Sequence, residues 1–186
     1  MKKLFLAGIS AVFFIFFSFS SCSADSAEPM EILKEKIEAI VLILDDSTKK
    51  EDVFIIVESV FDFNEISKRA LGAKWGTLSP EDQENFVHGF SRKIFEAYYE
   101  KISGKSSTSE IIFLGQRTKN GIYNVSTKIV RNQIEIPIAY RMRLSANGQW
   151  KIYDIVIGGV SLVANYRSQL NSMSSTDIMA KITKAE

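Results

Sequence analysis

The sequence predicts an α+β fold in which a block of helices precedes a curved, four-stranded antiparallel meander and shorter helices follow it. The spacing of apolar residues changes from the helical period of 3.6 to the strand period of 2 near Glu110. Asn-Gly pairs at Asn120–Gly121 and Asn147–Gly148 then separate alternating segments, which is a strong hairpin signal. Because such a sheet has one apolar face to cover, we expect the helices to pack on that face.

Capping residues define the predicted helices. Asp62 followed by Glu65 forms a capping-box pattern, and Gly72 suits the position after the end of that helix. Ser79 followed by Pro80 is a typical start for the next helix. Together with apolar periodicity, these signals predict helices at 30–44, 53–61, 62–71, 80–102, 161–170 and 174–183.

Alternation predicts the two faces of the strands at 111–116, 122–130, 134–144 and 149–157. In the third strand one predicted face is apolar and contains Ile134, Ile136, Ile138, Tyr140, Met142 and Leu144. The opposite face contains Glu135, Pro137, Ala139, Arg141 and Arg143. In the fourth strand the same rule puts Trp150, Ile152, Asp154 and Val156 on one face, and Ile155 and Ile157 on the other.

The amino-terminal segment predicts export. Lys2 and Lys3 precede an apolar run that is short for a membrane span, and small polar residues follow it. Cys22, the only cysteine, leaves two alternatives: acylation at a lipobox-like FSSC, or cleavage after Ala24. Phe19, where a lipobox usually has leucine, favours the second. The predicted organisation is a signal peptide at 1–24 and a single domain at 25–186, with a helical part at 30–102, the sheet at 110–157 and C-terminal helices at 161–184.

Composition excludes some classes of function. The 186 residues are 46% hydrophobic and 24% charged, which is typical of a globular protein. The chain has 23 basic and 22 acidic side chains, and two of the basic ones, Lys2 and Lys3, belong to the predicted leader. The remaining balance is nearly neutral and argues against nucleic acid as a partner.

Residues with catalytic potential are few. His88 is the only histidine, and we expect it to be solvated or to cap a helix; no metal-protease, nucleotide-binding or serine-nucleophile motif is present. Asp154 could act as a base if it lay in an apolar cavity, but a structural carboxylate is favoured. Gly158–Gly159 could offer N–H groups to a phosphate, although a tight bend is favoured. Arg167 could contact a lipid headgroup or form a surface ion pair.

Two segments carry a family resemblance: FDFNEISKRALGAKWGTLSPEDQENFVHGF and NGQWKIYDIVIGGVSLVANYRSQL. Their motifs lie at Phe61–Phe63, Ala70–Gly72, Trp75, Phe86 with Phe90, Trp150 to Asp154 and Gly159 to Arg167. They resemble the MlaC family, the periplasmic phospholipid-binding component of the Mla pathway. Gly159 departs from the family pattern, because many relatives carry an acid at that position.

The resemblance implies a periplasmic, monomeric phospholipid carrier without cofactor, metal or catalytic activity. It would shuttle lipid between an outer-membrane lipoprotein complex and an inner-membrane ABC transporter with an MCE-domain protein, and so maintain outer-membrane asymmetry. A small enzyme that uses Asp154 or Tyr140 on a hydrophobic ligand, and a structural envelope protein, are the alternatives.

The implied lipid pocket lies between the sheet and the helices. The same apolar residues also suit a solid core, so both possibilities are open at this stage. The predicted lipid-binding residues are Phe86, Phe90, Tyr98, Ile136, Ile138, Tyr140, Met142, Ile152, Val156, Val160, Leu162, Val163 and Tyr166.

Overall fold

The structure is a computed structural model that describes residues 28–183. The predicted signal peptide and Cys22 lie outside the described residues. The helices are α1 (Pro29–Ile43), α2 (Lys50–Val60), α3 (Phe63–Leu71), α4 (Pro80–Ile102), α5 (Leu162–Asn171) and α6 (Ser175–Thr183). The strands are β1 (Glu110–Lys119), β2 (Ile122–Arg131), β3 (Ile134–Leu144), β4 (Trp150–Ile157) and β5 (Val160–Ser161).

The predicted α+β class is confirmed, but the described sheet has five strands where the sequence predicted four. The strands follow one another in the order β1-β2-β3-β4-β5, and all neighbours are antiparallel. The extra strand, β5, pairs Val160 with Ile157 across a two-residue turn. Gly158 and Gly159 form this turn with φ values of 56° and 87°, so the bend predicted for these glycines is confirmed.

Local capping chemistry sets the helix ends as predicted. The Asp62 carboxylate accepts a hydrogen bond from the Glu65 N–H at 2.9 Å, which satisfies one free donor at the start of α3. The Ser79 hydroxyl accepts one from the Asp82 N–H at 3.1 Å at the start of α4. Gly72 ends α3 with a φ of 58°, a backbone angle that favours glycine.

Within residues 28–183, three connected clusters form the apolar interior. The helical cluster lies between α3, α4, α5 and α6 and includes Phe86, Phe90 and Leu162. The sheet cluster joins α1 and α2 to the sheet through Leu33, Val60, Val125, Met142 and Ile152. A third cluster, around Phe54 and Phe95, joins α1 and α2 to α4. Phe61 packs against both the helical and the sheet cluster, and Val57 packs against both the helical and the third cluster, so the interior is continuous.

A β-bulge in β4 changes which residues share a face. Met142 pairs with Ile152 and Arg141 pairs with Asp154, so Tyr153 is an extra residue between them. The prediction that Asp154 and Val156 share a face with Ile152 is therefore wrong. Asp154 and Val156 lie on the face of Arg141 and Ala139, whereas Ile155 and Ile157 join Tyr140 and Ile138 on the apolar face.

Candidate functional site: an apolar wall and a charged cleft

The apolar face of the sheet is closed at one end and partly open at the other. Met142 and Ile152 are completely buried under α1 and α2 in the sheet cluster. Further along the same face the side chains are apolar but only partly covered. We name this stretch the apolar wall; it consists of Ile136, Ile138, Tyr140, Ile155 and Ile157, of which only Ile138 is buried and the other four are half-buried.

Tyr140 joins the apolar wall to the buried sheet cluster, against which it packs. Burial raises the pKa of Tyr140 to about 12, and the neighbouring Thr127 hydroxyl opposes this rise in part. Yet the residue retains some accessible surface. Tyr140 is therefore a mostly enclosed tyrosine on a face that is only partly covered.

Two phenylalanines of the helical cluster and two tyrosines packed against it form an aromatic group. Phe90 packs edge-to-face on Tyr166, with ring centroids 5.0 Å apart, and Phe86 lies 4.9 Å from Phe90. Burial raises the pKa of both Tyr98 and Tyr166, and the proximity of Tyr98 raises that of Tyr166 further. The two half-buried tyrosines therefore lie close together at the edge of a fully buried phenylalanine pair.

The structure divides most of the predicted lipid-binding residues between two places. Those in or against the helical cluster are Phe86, Phe90, Tyr98, Leu162, Val163 and Tyr166. Those on the apolar face of the sheet are Ile136, Ile138, Tyr140, Met142 and Ile152.

Val156 and Val160 lie apart from these two groups. The bulge puts Val156 on the opposite face of the sheet from Ile152. Val160 is 61% exposed in the two-residue strand β5, because the chain turns inward only after Ser161, which caps α5. The sequence pattern could not separate Val160 from the buried Leu162 and Val163 that follow it.

The opposite face of the sheet borders a cavity of about 220 Å³ between α3, β3, β4 and α5, which charged, polar and apolar side chains line together. We name it the charged cleft and define it by Arg69, Arg141, Tyr153, Asp154, Ser161 and Arg167. The sequence indicates Arg167 and Asp154 as candidate functional residues, but it does not indicate Arg69 or Tyr153. Arg69 lies on α3, far from the strands in sequence, and no local signal indicates that it reaches β4.

Asp154 is the buried centre of this cleft, at 3% exposure. One of its oxygens accepts hydrogen bonds from Arg141 Nη1 at 2.9 Å and from the Ser161 hydroxyl at 2.7 Å. The other accepts the Val163 N–H at 3.1 Å. Asp154 thus ties β3, β4 and the first turn of α5 together, which is the structural role that the sequence favoured.

His88 is exposed on α4, as expected. Within residues 28–183 no group of three histidine, cysteine, aspartate or glutamate side chains is arranged to hold a metal ion. None of the helices in the described part of the chain combines the length and apolarity that a membrane crossing requires.

An antiparallel meander with one apolar face, wrapped by helices that share its interior, defines a curved-sheet α+β protein. The family model of the MlaC protein matches residues 29–185, and the chain therefore belongs to the MlaC family. A solved structure with the same fold is the phospholipid-binding protein from Ralstonia solanacearum, in complex with a phospholipid. It is 20% identical, covers 84% of this chain and 99% of its own, and has a TM-score of 0.70. No curated protein matches.

Proposed function

We propose that this protein is an exported phospholipid carrier whose acyl-chain site begins at the apolar wall. The observation that carries this proposal is the half-open apolar face of the sheet, which continues into the buried sheet cluster. Membership of the MlaC family supports it. So does the fold shared with a protein that was solved with a phospholipid bound.

The energetics suit a carrier that holds its cargo without chemistry. Each buried methylene is worth about 0.8 kcal/mol against water, so a lipid with roughly 30 methylenes gains on the order of 20 kcal/mol. Free lipid in water is therefore negligible, and a container is needed. The bilayer offers the same chains an equally dry environment, so the net transfer free energy between carrier and membrane is small and a protein partner can direct it.

The proposed route runs across the periplasm. We propose exchange with an outer-membrane lipoprotein complex at one end and with an inner-membrane ABC transporter carrying an MCE-domain protein at the other. Outer-membrane lipid asymmetry is the proposed outcome. The predicted leader at 1–24 supports export; cleavage after Ala24 gives the mobile form that a shuttle requires, whereas an acylated Cys22 would confine the protein to one membrane.

Lipid extraction and mass spectrometry of the protein purified from cells test the proposal. We expect phospholipid to copurify with the wild type. Ile136→Gln should lower the lipid content severalfold, because a polar side chain then stands in the apolar wall. Val130→Gln is the matched control: Val130 is also half-buried, but lies opposite Glu135 on the other face.

Two results would count against the proposal. If the wild-type protein were free of phospholipid in several independent preparations, the carrier proposal would be wrong. Equal lipid loss in both variants would show that the apolar face is not the site.

A further inference from the structure

The charged cleft holds more positive than negative charge. Three guanidinium groups line it, from Arg69, Arg141 and Arg167, and the one carboxylate among its defining residues is Asp154. The cavity measures about 220 Å³. This volume suits a single small polar group and is too small for a whole drug-sized molecule.

The negative charge of Asp154 is already engaged. Its two oxygens accept three hydrogen bonds, from Arg141, Ser161 and the Val163 N–H. The pairing with Arg141 offsets one charge of each sign. Asp154 therefore positions Arg141 in the cleft. Glu65, outside the defined cleft, pairs with Arg69, so Arg167 is the cleft guanidinium whose charge has no carboxylate partner among residues 28–183.

The arginines retain many free donors. Each guanidinium carries five N–H groups. Arg141 uses one nitrogen on Asp154. Arg69 uses its Nε on Glu65 at 2.5 Å, and its guanidinium lies over the Tyr153 ring at 4.7 Å. Arg167 has no ion pair or hydrogen bond with any residue of 28–183. The sequence alternative of a surface ion pair for Arg167 is therefore not what the described residues form.

Gly72 makes room for Arg167 beside the cleft. A Cβ atom at Gly72 would lie 3.0 Å from Arg167 Nη2, closer than side chains usually approach. The φ of 58° at this residue also disfavours any side chain. The guanidinium thus rests against the bare backbone at the end of α3, with its charge uncompensated by a side chain of the described residues.

We propose that the charged cleft binds a phosphate group, with Arg167 as its principal donor and Arg141 and Arg69 beside it. The planar guanidinium fork matches the paired oxygens of a phosphate and donates two charge-assisted hydrogen bonds at once. The phosphate is either a free one or that of a phospholipid headgroup. Because the cleft and the apolar wall lie on opposite faces of the sheet, a cargo headgroup reaches the cleft only around β5, the edge strand. Only the headgroup source rests on the proposed carrier function.

The direct test uses the full protein and two soluble probes, inorganic phosphate and glycerophosphocholine, at constant ionic strength set with chloride. The resonances of the arginine Nε–H groups are followed by nitrogen-15 NMR. We expect a saturable shift at Arg167 with each probe. Arg167→Gln should weaken binding about tenfold, and Arg167→Lys should recover part of the loss, because it retains the charge but not the fork. Arg117→Gln, an exposed arginine of β1 outside the cleft, should bind as the wild type does.

A second measurement separates the two sources of phosphate. Transfer of a fluorescent phospholipid from the protein to acceptor vesicles is compared with transfer of the corresponding diacylglycerol, which lacks the phosphate. If the cleft holds the cargo headgroup, Arg167→Gln speeds phospholipid release about tenfold and leaves diacylglycerol release unchanged. If it binds free phosphate only, both release rates stay unchanged while the NMR shift persists.

The outcomes remain distinguishable from those of the carrier proposal. If the protein carries neither phospholipid nor diacylglycerol but still binds phosphate at Arg167, the carrier proposal is wrong and the phosphate site is supported. Phosphate binding that is the same in Arg167→Gln and the wild type overturns the site. So does an Arg167 shift that chloride alone reproduces.

Discussion

The two faces of the sheet differ although the same strands build both. On β3, Ile138 and Tyr140 contribute to the apolar wall, while Arg141 points to the charged cleft and binds the buried Asp154. One face is stabilised by the removal of hydrocarbon from water, and it stays partly open. The other is stabilised by hydrogen bonds and paired charges that join β4 to α5.

The comparison shows what the bulge at Tyr153 does. Without it, β4 would alternate strictly and would place Asp154 on the same face as Ile152, where no arginine could reach it. With it, Ile152 and Ile155 both stay on the apolar face, and Tyr153 and Asp154 face the arginines. One extra residue therefore lets a single short strand serve two chemically opposite surfaces.

The largest expected effect comes from placing a charge on the apolar wall. Ile138 is 8% exposed, so Ile138→Asp buries an unpaired carboxylate and should lower the free energy of unfolding by about 4 kcal/mol. Urea denaturation followed by circular dichroism measures this. Ile134→Asp is the matched control on the same strand and face; Ile134 is 64% exposed, and its loss should stay within about 0.5 kcal/mol. Similar losses of stability in both variants would contradict the burial of Ile138.

Alkaline pH probes the same wall through Tyr140. Its pKa is about 12 in the folded state and 10.0 for an ordinary tyrosine. Below pH 10 both states are protonated and the stabilisation is fully present. As the pH rises towards 12 the unfolded state releases its proton first, so stability falls, by about 2–3 kcal/mol in total.

Tyr140→Phe should remove most of this alkaline loss in denaturation curves measured from neutral pH to pH 12. A smaller slope should remain, because burial also raises the pKa of Tyr98 and of Tyr166. A variant that loses stability as steeply as the wild type would show that Tyr140 does not titrate from a buried position.

The smallest expected effect tests the bulge itself. Ile155 and Val156 are neighbours, both half-buried, and the structure puts them on opposite faces. Ile155→Thr should lower the unfolding free energy by about 1–2 kcal/mol and reduce bound lipid, since Ile155 packs against the sheet cluster. Val156→Thr should cost about 0.5 kcal/mol and leave bound lipid unchanged. The reverse ranking would indicate strict alternation along β4.

Much of the fold was predictable because its signals are local. Asp62 and Ser79 begin helices by accepting hydrogen bonds from N–H groups three residues ahead. Asn120–Gly121 turns one hairpin because both residues adopt positive φ, of 52° and 72°. The apolar face of β3 was equally predictable, since uninterrupted alternation leaves one arrangement that buries the isoleucines.

The tertiary structure decided on which face of the sheet each residue of β4 lies. It also decided which residues form the apolar wall and the charged cleft. Alternation cannot reveal a bulge, because the extra residue is defined by its partner strand; only the pairing of Arg141 with Asp154 and of Met142 with Ile152 does so. Nor does any local pattern bring Arg69 of α3 beside Arg167 of α5, since packing of distant elements brings them together. By itself the sequence determined the helices, the turns and the apolar face of β3, because these depend on contacts between residues that are near neighbours in the chain. The open wall and the charged cleft arise from contacts between residues far apart along the chain, and for that reason only the folded molecule shows them.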